Sequence, residues 1–348
     1  MATSETLEQE YVLPEDELPI VSVLIPVRNE AGFIGRCLSA LAVQDYPRDR
    51  FEVFVLDGES TDLTEHEAQH AAETFELTIF VATNPGRTTA AGLNLGLTLI
   101  HGHVVIRVDG HTRVAPDFIS ANVRALRESG ADAVGGPIET RGHGTAGRAI
   151  ALAMSSPFGV GDAAFRHSQT EQWTDSVPFA AYRREVFERI GGFAEDIDRG
   201  EDDEFNYRLR SAGGRVLLTP SIRSVYFARE NFGGLLRQYW GYGIAKVNVL
   251  RRHPRRLRPR HLIPSAFVIT LAGSAVLGVV VDGRFFWLTA AVGGAYAVAN
   301  LGASLNIASK GHWRDAALLP VAFACIHVAA GAGMIAGVLR LLWPFGRR

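Results

Sequence analysis

The chain has 348 residues, 47% of them apolar and 21% charged, which admits one sizeable domain plus something smaller. Its formal net charge of −2 leaves no global footprint for nucleic acid, so no nucleic-acid partner is expected. Two cysteines far apart, Cys37 and Cys325, exclude a disulfide framework and a cysteine-built zinc site, and fit a reducing compartment.

Residues 1–18 are acidic and polar, with no apolar core, so they read as a tail rather than a cleavable signal peptide. Residues 19–230 read as a soluble α/β domain. Residues 20–25, apolar except for Ser22, predict a buried strand that ends in Pro26-Val27-Arg28-Asn29-Glu30. Asn29 is expected to cap the next helix. Phe33, Ile34, Cys37, Leu38 and Leu41 recur at helical spacing, which puts Cys37 in the core, and Asp45-Tyr46-Pro47 stops the run. A second strand over 51–56 ends in Asp57, and the polar turn Gly58-Glu59-Ser60-Thr61-Asp62 leads into a helix. A third strand over 77–82 is followed by Asn84-Pro85-Gly86-Arg87 and a helix holding Leu93, Leu97 and Ile100.

The β-branched run 104–108 then stops at Asp109-Gly110-His111. A carboxylate and an imidazole at a strand's carboxyl end stand where open α/β sheets bind ligands. Asp109 and His111 also have metal-ligating chemistry, one a hard oxygen, the other a borderline nitrogen. Strands alternating with helices predict a mainly parallel sheet covered on both faces. Three of its strands deliver Arg28 and Asn29, Asp57, and Asp109 to one edge.

Further on, the pattern predicts a helix over 116–129, a strand over 132–136, a mobile loop with a short helix over 142–166, a strand over 177–182 and a helix over 184–190. Gly200-Glu201-Asp202-Asp203-Glu204 opens another helix. Carboxylates in a first turn suit the positive end of a helix. Four adjacent acids also repel, a cost that a cation or substrate would offset, and a carboxylate with a raised pKa is what a general base needs. Strands over 215–218 and 224–227 precede an amphipathic helix over 231–250. Its Leu235, Leu236, Tyr239, Trp240 and Tyr242 adjoin the basic run 251–261. Residues 231–261 therefore read as an interfacial helix and basic collar on a membrane surface, with an ordinary core helix as the open alternative.

Residues 262–281, 285–308 and 316–339 carry no charged side chain. Each meets the ~20 apolar residues a spanning helix needs, and their Gly and Ala suit packing in lipid. Three transmembrane helices are expected within 262–343; a buried helical hairpin is the alternative. The basic run belongs on the cytoplasmic side and is suited to anionic headgroups. That leaves Arg347 and Arg348 outside, against the charge rule, unless the third segment is re-entrant, so the number of spans stays open.

Residues 21–30 (Val-Ser-Val-Leu-Ile-Pro-Val-Arg-Asn-Glu), the acidic turn at 57–62, Asp109-Gly110-His111, residues 179–184 with Gly191-Gly192-Phe193, and the Glu201-Asp202 pair together resemble the family-2 inverting glycosyltransferases, in order over roughly 20–250. The nearest likeness is to membrane-attached, succinoglycan-type glucosyltransferases of exopolysaccharide synthesis. The resemblance implies a GT-A, Rossmann-like fold followed by transmembrane helices. It implies a nucleotide-sugar donor, UDP-glucose by family habit, held by Pro26, Arg28, Asn29, Glu30, Asp57, Arg87 and Asp109. It implies a divalent cation, Mn²⁺ or Mg²⁺, on Asp109 and His111. Asp202 would be the base and Glu201 an orienting group. Arg183, Asp203, Arg237, Gln238 and Trp240 would lie on the acceptor or diphosphate side. The expected acceptor is a polyprenyl-diphosphate-linked sugar at the cytoplasmic face of the inner membrane; a homo-oligomer is left open.

Three departures stand out. His111 replaces the second Asp of the metal motif, which suits Mn²⁺ better than Mg²⁺. Glu59 stands where the family usually has Gly. Arg237-Gln238-Tyr239-Trp240 holds residues of the processive members' Gln-x-x-Arg-Trp in another order, which argues against processive synthesis. Rival readings are a polyprenyl-phosphate sugar synthase, a processive polysaccharide synthase and an inactive scaffold.

Overall fold

The computed structural model describes residues 17–197 and 199–342. The first half follows the alternation read from the sequence. Strands β1 (Val21–Val27), β2 (Phe51–Asp57), β3 (Ile79–Thr83) and β4 (Val104–Arg107) are separated by helices α1 (Ile34–Ala42), α2 (Thr64–Thr74) and α3 (Thr89–Leu99). All four strands are parallel: β1 lies between β2 and β4, and β3 is next to β2. The register opposes Val27 to Asp57 and Leu24 to Arg107, so the strand ends reach one edge together. Branched side chains such as Val23, Ile25, Val53, Val55 and Ile106 are wholly buried, as a sheet covered on both faces requires.

Beyond Asp109 come β5 (Arg113–Val114), α4 (Phe118–Ser129), β6 (Ala133–Gly135), β7 (Ile138–Arg141), α5 (Gly144–Met154), α6 (Pro157–Val160), β8 (Gln172–Trp173), β9 (Ala181–Arg183), α7 (Arg184–Ile190), α8 (Glu201–Ser211), β10 (Val216–Leu218) and β11 (Ser224–Phe227). Among the described residues the main sheet runs β3-β2-β1-β4-β9-β6-β10-β8, and β5, β11 and β7 form a small second sheet. Two expectations change. Residues 142–166 hold two helices rather than a loop with one; Ala and Gly carry too little apolar signal to show a period, yet Ala149, Ile150, Ala153 and Met154 form a buried stripe on α5. The strand expected over 177–182 pairs only over Ala181–Arg183, and it runs antiparallel to both β4 and β6.

Asn29 does not cap α1. Its backbone is left-handed, with φ 56°, and its Oδ1 accepts from the Thr61 amide at 2.9 Å, tying the loop after β1 to the loop after β2. Cys37 is buried, and burial first, then the Asp109 and Glu30 charges, push its thiol up to about 12, so it is inert core.

The C-terminal third comprises α9 (Phe232–Arg252), α10 (Pro259–Val280), α11 (Phe285–Ile307) and α12 (Leu319–Leu342). Asn231 caps α9, accepting from the Gly234 amide at 2.8 Å. The apolar helices α10, α11 and α12 are long and apolar enough to cross a bilayer. α12 is one continuous helix. α9 is partly buried, as the core-helix alternative has it: Leu235, Tyr239, Ala245 and Val247 are buried. A Cβ on Gly243 would meet the Ala330 carbonyl oxygen at 2.3 Å, and one on Gly333 would meet the Trp240 carbonyl oxygen at 2.2 Å, so only glycine lets α9 and α12 approach so closely. The side chains of Leu236 and Trp240 stay exposed. Leu319, Phe323, Ile326 and Ala329 of α12 belong to the same buried cluster as β1 and α1, so the last helix shares the core of the α/β part.

Candidate active site

The carboxyl edge of the sheet opens into a cavity of about 1220 Å³. Its floor is laid by β4. Arg107, the last residue of that strand, is 8% exposed. A buried guanidinium demands negative partners. One Nη2 supplies both contacts, to Asp109 Oδ1 at 2.8 Å and to Glu201 Oε1 at 3.0 Å. Its Nε is buried without a partner among the described residues. Gly110 follows because a Cβ there would come within 2.6 Å of Val27 Cγ1. His111 then turns back on β1, its Nδ1 2.9 Å from Glu30 Oε1. Burial opposes charge on this imidazole, but the Glu30 hydrogen bond and the Asp109 and Glu30 charges prevail and hold it above its ordinary value.

The four acids that open α8 divide their work. Glu204 is wholly buried and structural, receiving Arg208 Nε at 2.9 Å and facing His253 Nε2 at 2.8 Å. Asp203 faces Lys246 Nζ at 3.3 Å. Glu201 goes to Arg107. Asp202 accepts from the Asp203 amide at 2.8 Å and lines the cavity. Burial is the main cause that raises Glu201, to about 7, with Arg107 holding it back and Asp202 adding. Asp202 is raised too, by burial first, against Arg107, with Asp203 and Asp109 adding. The α8 macrodipole favours both anions at this end.

Of the residues singled out from sequence, Pro26, Arg28, Glu30, Arg87, Asp109, His111, Glu201, Asp202 and Asp203 line this one cavity. The others are placed differently. Asp57 is at the same edge but turned inward: Ser60 donates to it from its amide at 2.9 Å and from its hydroxyl at 2.5 Å, so the carboxylate braces the turn. Asn29 is exposed beside it. Arg183 is at the opposite edge, donating to the Ala131 and Leu126 carbonyls, because β9 runs antiparallel and Arg183 pairs with Val104 at the start of β4. Arg237 and Gln238 line a neighbouring cavity that meets the first at Glu30, His111 and Tyr226. Gln238 Nε2 donates to the Tyr226 and Tyr242 hydroxyls at 2.8 and 3.0 Å. Trp240 meets Gly333 of α12 only through its backbone, and its side chain stays exposed. Tyr239, Tyr242 and Lys246 are among the α9 residues that reach the acids' cavity.

Sequence reasoning missed Arg107, whose signal is one charge inside an apolar strand. It also missed a backbone pattern. Asn29, Glu59 and Arg87, in the loops after β1, β2 and β3, all have positive φ without being glycine. Glu59 and Arg87 are ion-paired to each other. Such conformations cost roughly 1–3 kcal/mol each and cluster at functional edges.

For a divalent cation the donor set decides. Among the described residues no three acidic, imidazole or thiol groups form a ligand cluster, so a complete protein cage is not built. Mn²⁺ or Mg²⁺ completed by waters and substrate phosphates needs only one or two protein ligands. Asp109, with one oxygen not engaged by Arg107, and the Nε2 of His111 fit that use.

On its far side the same cavity is lined by Phe158 of α6, Pro264 and Phe267 of α10, and Ile326 and Met334 of α12. The polar edge and the apolar helices thus enclose one space.

Comparison with known proteins agrees with this architecture. The model for glycosyl transferase family 2 matches residues 22–191. The succinoglycan biosynthesis protein ExoA of Rhizobium meliloti is 30% identical over 97% of this chain and 99% of its own length. A dolichyl N-acetyl-alpha-D-glucosaminyl phosphate 3-beta-D-2,3-diacetamido-2,3-dideoxy-beta-D-glucuronosyltransferase of Methanococcus voltae is 25% identical over 75% of this chain and 83% of its own. Among solved structures, the mannosyltransferase PcManGT of Pyrobaculum calidifontis, in complex with GDP-Man and Mn²⁺, superposes with a TM-score of 0.60 at 24% identity, covering 94% of this chain and 88% of that one. That likeness gives the fold, GT-A.

Proposed function

Because this chain belongs to glycosyl transferase family 2, we propose that it is an inverting hexosyltransferase that moves a sugar, glucose from UDP-glucose as first expectation, to a hydroxyl of a polyprenyl-diphosphate-linked sugar. The catalytic part, residues 19–230, works at the cytoplasmic face of the inner membrane, held there by the collar over 231–261 and the helices over 262–343. The observation that carries this reading is the shared cavity. Asp109 and Asp202 face one space whose opposite wall is made by α10 and α12, as a donor with a charged leaving group and an acceptor on a lipid require.

The chain's own groups then have definable roles. Arg28 and Arg87, both exposed at the polar edge, attract the nucleotide's phosphates. Asp109 and the Nε2 of His111 would hold the cation. When bound, that cation neutralises charge growing on the departing diphosphate. Asp202 removes the proton from the acceptor hydroxyl as its oxygen attacks the anomeric carbon; the nucleoside diphosphate leaves from the other face, and the configuration inverts. Burial, by raising Asp202, makes it a stronger base than a solvated aspartate. Arg107 positions Asp109 and Glu201 and keeps the acids from repelling one another apart.

The Methanococcus voltae relative is named for glycosyl transfer to a lipid-phosphate-linked sugar, which supports a hydroxyl acceptor. A base pair such as Glu201–Asp202 would have no task on a bare, already ionised phosphate. The test feeds radiolabelled UDP-glucose and other sugar nucleotides, with Mn²⁺, to the full chain in neutral lipid vesicles that carry both a polyprenyl-diphosphate sugar and bare polyprenyl phosphate. Label on a polyprenyl-diphosphate sugar is expected. Label on bare polyprenyl phosphate instead would sink the proposal.

A further inference from the structure

A second charged group, distinct from Arg107 and its acids, lines the same cavity. Asp175, just beyond β8, faces three guanidiniums: Arg210 Nη1 at 2.9 Å, Arg258 Nη1 at 3.1 Å and Arg260 Nη2 at 3.7 Å. Arg260 also pairs with Asp162. All five side chains line the cavity that holds Asp202. Arg210 is on the last turn of α8, the helix whose first turn carries Asp202; Arg258 and Arg260 open α10, the first apolar helix. Three cations share two carboxylates, so one positive charge is left over. The two carboxylates are 44% and 58% exposed. Pairs this open to water are weak and exchangeable. Below them the lining turns apolar at Ile263, Pro264 and Phe267.

We infer that Arg210, Arg258 and Arg260 form the seat for the diphosphate of a polyprenyl-diphosphate-linked acceptor, and that Asp175 and Asp162 occupy this seat as internal stand-ins until the substrate arrives. Guanidinium forks match phosphate oxygens two at a time. A diphosphate brings more charge and a wider spread of oxygens than one carboxylate, so it outcompetes Asp175. The position suits the height of a lipid headgroup, where an apolar helix begins. From there the isoprenoid runs along α10 and the attached sugar extends toward Asp202. This assignment rests on the lipid-linked acceptor reading and adds the residues that recognise it.

The test is a binding series with farnesyl diphosphate as the probe and the full chain in neutral phosphatidylcholine nanodiscs. A nucleoside diphosphate and Mn²⁺ are present to fill the donor side. Wild type is expected to bind farnesyl diphosphate more tightly than farnesyl phosphate. Arg258→Gln with Arg260→Gln is expected to weaken it at least tenfold and leave sugar-nucleotide affinity unchanged. Asp175→Asn, which removes the stand-in, is expected to tighten binding severalfold. Ion pairs that merely brace the loop would move both variants in the same direction; that result, or unchanged affinity in the arginine variant, overturns the assignment. Competition by phosphatidylglycerol as strong as that by farnesyl phosphate would also overturn it, giving the arginines to bulk lipid. Transfer to bare polyprenyl phosphate by wild type would instead remove the acceptor reading, while the binding series still decides the diphosphate seat.

Discussion

Arg107 and Glu201 are 94 positions apart in sequence and meet at 3.0 Å under the cavity, where Arg107 also holds Asp109. Removing one partner of a buried ion pair leaves the other charged and unpaired, at a cost of about 3–5 kcal/mol. Arg107→Met is therefore expected to lower stability by about that amount in denaturant unfolding. An unchanged midpoint would mean that the pair carries no structural weight.

Asp202→Asn tests the base. Positioned proton transfer contributes about 10²–10⁴-fold. Turnover is expected to fall within that range while calorimetric donor affinity stays the same. Weakened donor binding with turnover retained would move Asp202 out of its role.

Asp109→Ala tests the cation. Donor binding that depends on Mn²⁺ is expected to vanish in this variant, leaving only the metal-independent remainder in titrations with and without EDTA. Unaltered Mn²⁺ dependence would place the ion elsewhere.

The acids also set a pH limb. The base works ionised, and burial raises Asp202, with Arg107 opposing and Asp203 and Asp109 adding. As pH falls through that raised value the base is protonated and kcat/KM drops, so the acid limb is expected above the ordinary aspartate range. Asp202→Glu should keep such a limb with reduced turnover. A pH–rate profile with its limb at the ordinary aspartate value would contradict the environment described for Asp202.

The seam between α9 and α12 is tight enough to measure. Gly243→Ala puts a methyl where 2.3 Å separates it from the Ala330 carbonyl oxygen. Overpacking of this kind costs about 1–3 kcal/mol. A lower melting temperature is expected for Gly243→Ala. Gly273→Ala on α10, where an added Cβ meets nothing within 4 Å, should leave it unchanged.

Much of the first half is legible from residue order. β1, β2 and β4 are apolar runs ending in polar residues, and such runs reveal both the strand and the edge. Strand direction is not written that way. Ala181–Arg183 has the composition of any short strand, and only pairing with β4 shows that it runs backwards and takes Arg183 to the far edge. Nor does an acid at a strand end reveal where its carboxylate points: Asp57 satisfies Ser60 three residues on, a local turn competing with any ligand. Gly142 to Arg166 hid α5 because its burial comes from elsewhere in the fold, including α12, whose residues arrive more than 150 positions later. Arg107 is illegible for a related reason: Asp109 is two residues on, but Glu201, which makes it a buried network, comes from α8, 94 positions away.

One practical outcome concerns shortened versions of the chain. Because Phe323, Ile326 and Ala329 complete the core that β1 and α1 begin, a piece cut before α10 to avoid detergents would lose an inner wall of its own fold. Val247, which packs on Gly337 of α12, would be laid bare to water. Such a piece would aggregate, and weak activity from it would say little about the enzyme.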